Sequence, residues 1–161
     1  MTIRPNKMVD GEIVPLSDPE WAEYQAALTP SLDQLKAAKA SAVDALRDGL
    51  LASGFSCDFG AAGVHVLQTR GSDDRVNWLT SQAAYTAMVA AGQGDSPGAV
   101  FRSADNQTFT VTFSEGLQAL LSMASWGAAV YRRSWELKDA VAAAADASAL
   151  DVIDIAAGWP A

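Results

Sequence analysis

The sequence predicts an α+β protein with an N-terminal arm and a helical stalk of coiled-coil character, followed by a compact domain of two short β-hairpins packed on helices. Three observations carry this expectation. An Asp10-Gly11 pair sits between short apolar runs near the start, a one-sided helical pattern runs from Leu28 to Gly49, and two alternating segments with turn residues between them are each followed by a capped helix. The boundaries that follow are an extended arm over residues 1–16, a helical stalk over 17–52 and a compact domain over 53–161.

Composition sets the limits. With 161 residues, 50% hydrophobic and 19% charged, the chain is long enough to bury a real core without disulfides or metal. The single cysteine, Cys57, has no partner within the chain, so no disulfide framework forms. A net charge of −8 argues against nucleic acid and against an anionic membrane surface as partners. The first residues, Met1 to Val14, have no apolar stretch behind their basic residues, so a signal peptide is not expected and the chain is expected to stay cytosolic unless something else carries it out. The most apolar run, Leu117 to Tyr131, is stopped by Arg132 and Arg133 short of the ~20 residues of a membrane span, so membrane insertion is not expected.

In the arm, Met8-Val9 and Ile13-Val14 flank Asp10-Gly11 as the strands of a two-residue hairpin. A lone hairpin is marginal in water, so Val9, Ile13 and Val14 are expected to order against a partner or another part of the chain, unless the segment frays. Ser17-Asp18-Pro19-Glu20 has the form of a helix start, and the helix should run through Trp21, Tyr24 and Leu28 until Pro30 interrupts it. A second helix follows from Ser31 to about Leu51. Across the join Leu28, Leu32, Leu35, Lys39, Ala42, Leu46 and Gly49 alternate steps of four and three, a heptad spacing with Lys39 at one core position. Asp33, Lys36, Asp44 and Arg47 hold the other face. Such a seam needs a surface; self-association as a coiled coil and packing on the chain's own domain both supply one.

From Phe55 the pattern turns to strands: Phe55 to Phe59 and Val64 to Thr69 around a glycine-bounded loop. Ser72-Asp73-Asp74 is expected to cap the next helix, with Val76, Leu79, Ala83 and Met88 on its apolar face. Ala99 to Ser103 and Thr108 to Phe113 form a second hairpin, with Phe109, Val111 and Phe113 on its buried side. Ser114 is then placed to cap a long helix through Ala142, and the Gly158-Trp159-Pro160 tail is expected to bring Trp159 into the core as a structural plug.

No chemistry stands out. A lone His65 rules out a multi-histidine metal site, and no Cys or carboxylate cluster has ligand spacing. No Gly-x-Ser-x-Gly elbow, dinucleotide fingerprint or phosphate loop is present, so no catalytic, cofactor-binding or metal residue is assigned and no enzyme activity is expected. His65 reads as a strand residue, Cys57 as a buried structural cysteine, and Arg132 and Arg133 as a solvated face.

The Val64 to Thr69 strand with the Arg75-bearing helix, the Ser103-Ala104-Asp105-Asn106 turn, the Val111-Thr112-Phe113 strand, Leu137-Lys138, and Ile153 to Pro160 together carry a likeness. From about Lys36 to Pro160 the chain resembles a domain of unknown function common in phage and prophage tail-fibre-region proteins, with Phe101 where that pattern commonly has tryptophan. The opening Asp10 to Ser17, leading into an acidic helix, also looks like the start of many small phage tail proteins. The resemblance implies a structural component of a phage tail tip or tail fibre, made in the host cytoplasm and located in the virion. It implies a homo-oligomer, expected as a trimer through the Leu28 to Gly49 seam, attached to other tail or baseplate proteins. The alternative it leaves open is a tail-fibre assembly chaperone absent from the finished particle.

Overall fold

The computed structural model describes residues 4–160. In chain order it has β1 (Asn6–Val9), β2 (Glu12–Pro15), α1 (Asp18–Leu28), α2 (Leu32–Ser53), β3 (Phe55–Asp58), β4 (Val64–Leu67), α3 (Ser72–Ala90), β5 (Pro97–Arg102), β6 (Thr108–Thr112), α4 (Phe113–Ala143) and α5 (Ala147–Asp151). The architecture is α+β: three separate two-stranded antiparallel sheets, β1-β2, β3-β4 and β5-β6, among helices.

The arm folds as the Asp-Gly pair dictates. Asp10 at φ 50° and Gly11 at φ 87° make the two-residue turn in which both centres are left-handed, pairing Val9 with Glu12 and Met8 with Ile13. The hairpin then rests on α1: Arg4 donates to the Leu16 carbonyl at 3.2 Å and pairs with Asp18 at 2.6 Å, and Lys7 pairs with Glu20. The partner that orders the hairpin is therefore another part of the chain. Met1 to Ile3 of the expected arm lie outside the described residues. Glu20 also accepts from the Ser17 backbone at 2.8 Å, as the Ser-x-x-Glu pattern requires.

Ser31 and Gln34 form a reciprocal cap that starts α2 (2.8 and 3.2 Å), and α2 lies antiparallel along the second half of α4. Three contacts fix the register: Lys36 to the Ala142 carbonyl at 2.8 Å, Asp44 to Lys138 at 3.0 Å, and the Arg47 guanidinium 5.7 Å from the Tyr131 ring. Of the two surfaces open to the seam, α2 thus uses the chain's own body, and among the described residues no coiled-coil stalk stands apart from it. The inward stripe agrees with the heptad reading at Leu32, Leu35 and Lys39, then moves to Val43, which is 0% exposed, while Leu46 stays 37% exposed. A strict seven-residue repeat drifts about 20° per heptad from a straight helix, and this helix has no supercoil to follow it. Lys39 occupies its place as a cap: its ammonium donates to the Leu150 carbonyl at the end of α5, as Lys36 does near the end of α4.

The compact part has two buried clusters. Near the start of α4, Phe101 stands among Phe59, Trp78, Tyr85 and Phe109 at centroid distances of 5.1, 5.8, 6.0 and 5.7 Å, with Leu67, Ala99, Val111 and Leu120 around them. Gly116 lets β5 close on α4, since a Cβ there would stand 2.5 Å from that of Ala99. The Ala104 amide donates to the Val66 carbonyl at 2.9 Å and ties the two hairpins together. At the other end Val141, Ala144 and Leu150 pack with Leu35, Ala40 and Ile153.

Three local expectations are corrected. α4 is capped by Thr112, whose hydroxyl accepts from the Glu115 amide while Glu115 accepts from the Thr112 amide, so Ser114 lies inside the helix. The N-cap of α3 is Gly71, and Asp74 instead accepts from the Arg70 amide at 3.1 Å. The inward face of α3 carries Trp78, Tyr85 and Met88, whereas Val76, Leu79 and Ala83 point to solvent.

Candidate functional site

The rotation of α3 that turns Leu79 outward opens an apolar cleft of about 210 Å³ between α2, α3 and α4. Leu120, Met123, Ala124 and Trp126 of α4 form its floor, and Trp78, Leu79 and Gln82 of α3 form one wall. Leu51 at the end of α2 forms the other wall, and Arg75 and Tyr131 stand at the mouth. Three contacts hold parts of the lining in place. Trp78 donates its indole N–H to the Gln68 carbonyl at 2.6 Å, Trp126 packs 5.7 Å from Phe55, and the Thr69 hydroxyl donates to the Leu51 carbonyl, joining α2 to the loop before α3. Arg75 is the one ionisable cation lining the cleft, and its Nε donates to the Gly71 carbonyl at 3.2 Å. With apolar walls and few polar groups, the cleft is suited to holding apolar side chains of another segment.

Sequence reasoning missed this cleft. The signal available was excess: Leu120, Leu121, Met123 and Trp126 on one helix, with Leu79 on another, are more large apolar residues than one buried face accommodates.

The residues singled out from sequence are distributed as follows. Leu32, Leu35 and Lys39 turn inward within the chain, Ala42 lies at the margin of that stripe, and Leu28 and Leu46 are exposed. In the arm Val14 is half-buried with Lys7 on the side of the hairpin toward α1, and Val9 on that same side is exposed. Met8 and Ile13, opposite each other on the other face, are 72% and 71% exposed. Trp159 is half-buried, and its indole N–H donates to the Ile155 carbonyl at 2.8 Å, closing a tight loop outside both buried clusters. The tail is clamped to α4 by Arg133, whose guanidinium donates twice to the Ala157 carbonyl at 3.2 and 2.9 Å.

The reactive residue types have structural partners. His65 stacks on Phe109 at 4.0 Å with its Nε2 against the Ala62 carbonyl at 2.8 Å. Cys57 is half-buried, and burial, with the Asp58 charge beside it, pushes its thiol above the usual range, away from the reactive thiolate. Among the described residues no group of three or more His, Cys, Asp or Glu side chains could hold a metal ion. Among the described residues no helix is long and apolar enough to cross a membrane.

An α+β body with an outlying hairpin-helix unit and an apolar cleft is the class of molecule the geometry defines. Residues 34–157 match the family model described as Domain of unknown function (DUF4376), and the chain belongs to that family. No curated protein and no solved structure gives a significant match.

Proposed function

We propose that the protein is a non-enzymatic structural component of a phage tail tip or tail fibre, which self-associates and attaches to other tail proteins. The observation that carries this reading is the outlying unit formed by β1, β2 and α1. It holds Met8, Ile13, Tyr24 and Leu28 in solvent, and no residue of α1 is buried. A unit that exposes its apolar residues gains little from its own chain and much from a partner. The likeness to tail-fibre-region domains, carried by the strands, the turn and the Ile153 to Pro160 tail, supplies the setting. Self-association as a trimer and attachment through Val9, Ile13 and Val14 belong to this proposal.

A second reading, an assembly chaperone for a tail fibre, is favoured by the open apolar cleft, which suits transient binding of an unassembled segment. Mass spectrometry of purified virions separates the two. The structural reading expects the protein in fixed stoichiometry with other tail proteins. Its absence from intact virions, with presence in infected-cell lysate, contradicts that reading and supports the chaperone.

A further inference from the structure

The apolar stripe of α1 and the cleft between α2, α3 and α4 have complementary chemistry. Trp21, Tyr24 and Leu28 fall at i, i+3 and i+7, the spacing of a helix that anchors in a groove. Trp21 stacks on Tyr24 at 5.6 Å and is half-covered by Arg4, while Tyr24 and Leu28 are exposed. An 11-residue helix of this kind is below the length that is stable alone in water. The cleft presents Leu79, 67% exposed, above a floor of Leu120, Met123 and Trp126. Charge agrees with shape. Asp18 and Glu20 of α1 are paired with Arg4 and Lys7, yet Asp10, Glu12 and Glu23 leave the hairpin-helix unit net acidic, whereas Arg75 at the cleft mouth forms no ion pair with a carboxylate among the described residues.

We propose that α1 of one copy docks in this cleft on a second copy, an inference that rests on the self-association reading above. The chain's own α1 does not reach. From Leu32, where α1 joins, to Leu51 at the near edge of the cleft, α2 rises about 28 Å at 1.5 Å per residue. The four steps from Leu32 back to Leu28 span at most about 14 Å, and seven helical residues more to Trp21 add about 10 Å. Even at this stretch Leu28 and Tyr24 stop about 14 and 8 Å short of Leu51 while α1 stays helical, so the chain's own stripe cannot seat as a whole. Donor and acceptor surfaces differ, so the contact closes either as a reciprocal two-fold pair or, head-to-tail, as a ring, the latter accommodating a trimer.

The experiment uses the full chain with Cys57→Ser as background. One copy carries Tyr24→Cys, a second, tagged copy carries Leu79→Cys, and a third chain carries both. Mixing and oxidising the single-cysteine chains is expected to give a tagged-to-untagged disulfide, identified by peptide mass. Light scattering on the untouched chain is run in parallel. Trp21→Ala with Tyr24→Ala should weaken association on the order of 100-fold, and Arg75→Glu about tenfold. An oligomer in which residues 24 and 79 never cross-link overturns the α1 contact and leaves self-association standing. A monomer overturns both. A 24-to-79 bond formed within single copies of the doubly substituted chain overturns the second copy as occupant.

Discussion

At the residue scale, Phe101 is the most connected of the aromatic side chains, 1% exposed and within 6.0 Å of four rings from three other parts of the chain. Phe101→Ala is expected to cost about 3–5 kcal/mol, because the removed ring leaves a space that the hairpin and helix walls cannot close. Equilibrium urea unfolding reads this as a lowered midpoint with an unchanged slope. A second residue links charge to the arm. Lys7 and then Ser17 hold the Glu20 carboxyl down to about 2, below its ordinary 4.5. A carboxylate with a depressed value contributes stability that is complete above the ordinary value and is lost as pH falls toward the depressed one. The hairpin should therefore remain docked on α1 at neutral pH and loosen between about 4.5 and 2. The Trp21 indole, beside Arg4, reports the change by fluorescence, and the transition should be absent from Glu20→Gln. The same pH response in wild type and Glu20→Gln would contradict this role.

At the element scale, much of the architecture was legible because local chemistry fixes it. Asp10-Gly11 specifies its turn, Ser31 with Gln34 specifies the start of α2, and the Thr108 to Phe113 alternation specifies which face of β6 is buried. Helix rotation was not legible. Four-three spacing and a straight 3.6 period agree over two turns and diverge over five, so the heptad reading placed Leu46 and Gly49 in the seam where packing chose Val43. For α3 the alanines gave both faces apolar character, and the aromatic residues Trp78 and Tyr85 decided the inward side. This yields a paired test. Val43→Asp places an unpaired charge against α4 and should abolish cooperative folding, whereas Leu46→Asp should leave the thermal midpoint nearly unchanged. Equal effects in thermal unfolding by circular dichroism would mean that α2 is rotated from the position described.

At the scale of the whole molecule, the body is closed by its own contacts, while the hairpin and α1 are held by surface ion pairs that salt screens. The candidate cleft was hidden in the sequence for the same reason as the rotation of α3: it exists only where three helices meet, and Leu51, Leu79 and Trp126 are far apart along the chain. Both surfaces, the exposed stripe and the open apolar cleft, support the proposal that the chain meets another copy of itself. Size-exclusion chromatography with multi-angle light scattering of the full chain across micromolar concentrations tests it most directly. Docking of α1 on a second copy gives a defined oligomer whose mass falls toward that of one chain on dilution and in Trp21→Ala with Tyr24→Ala; a mass of one chain at every concentration would overturn it.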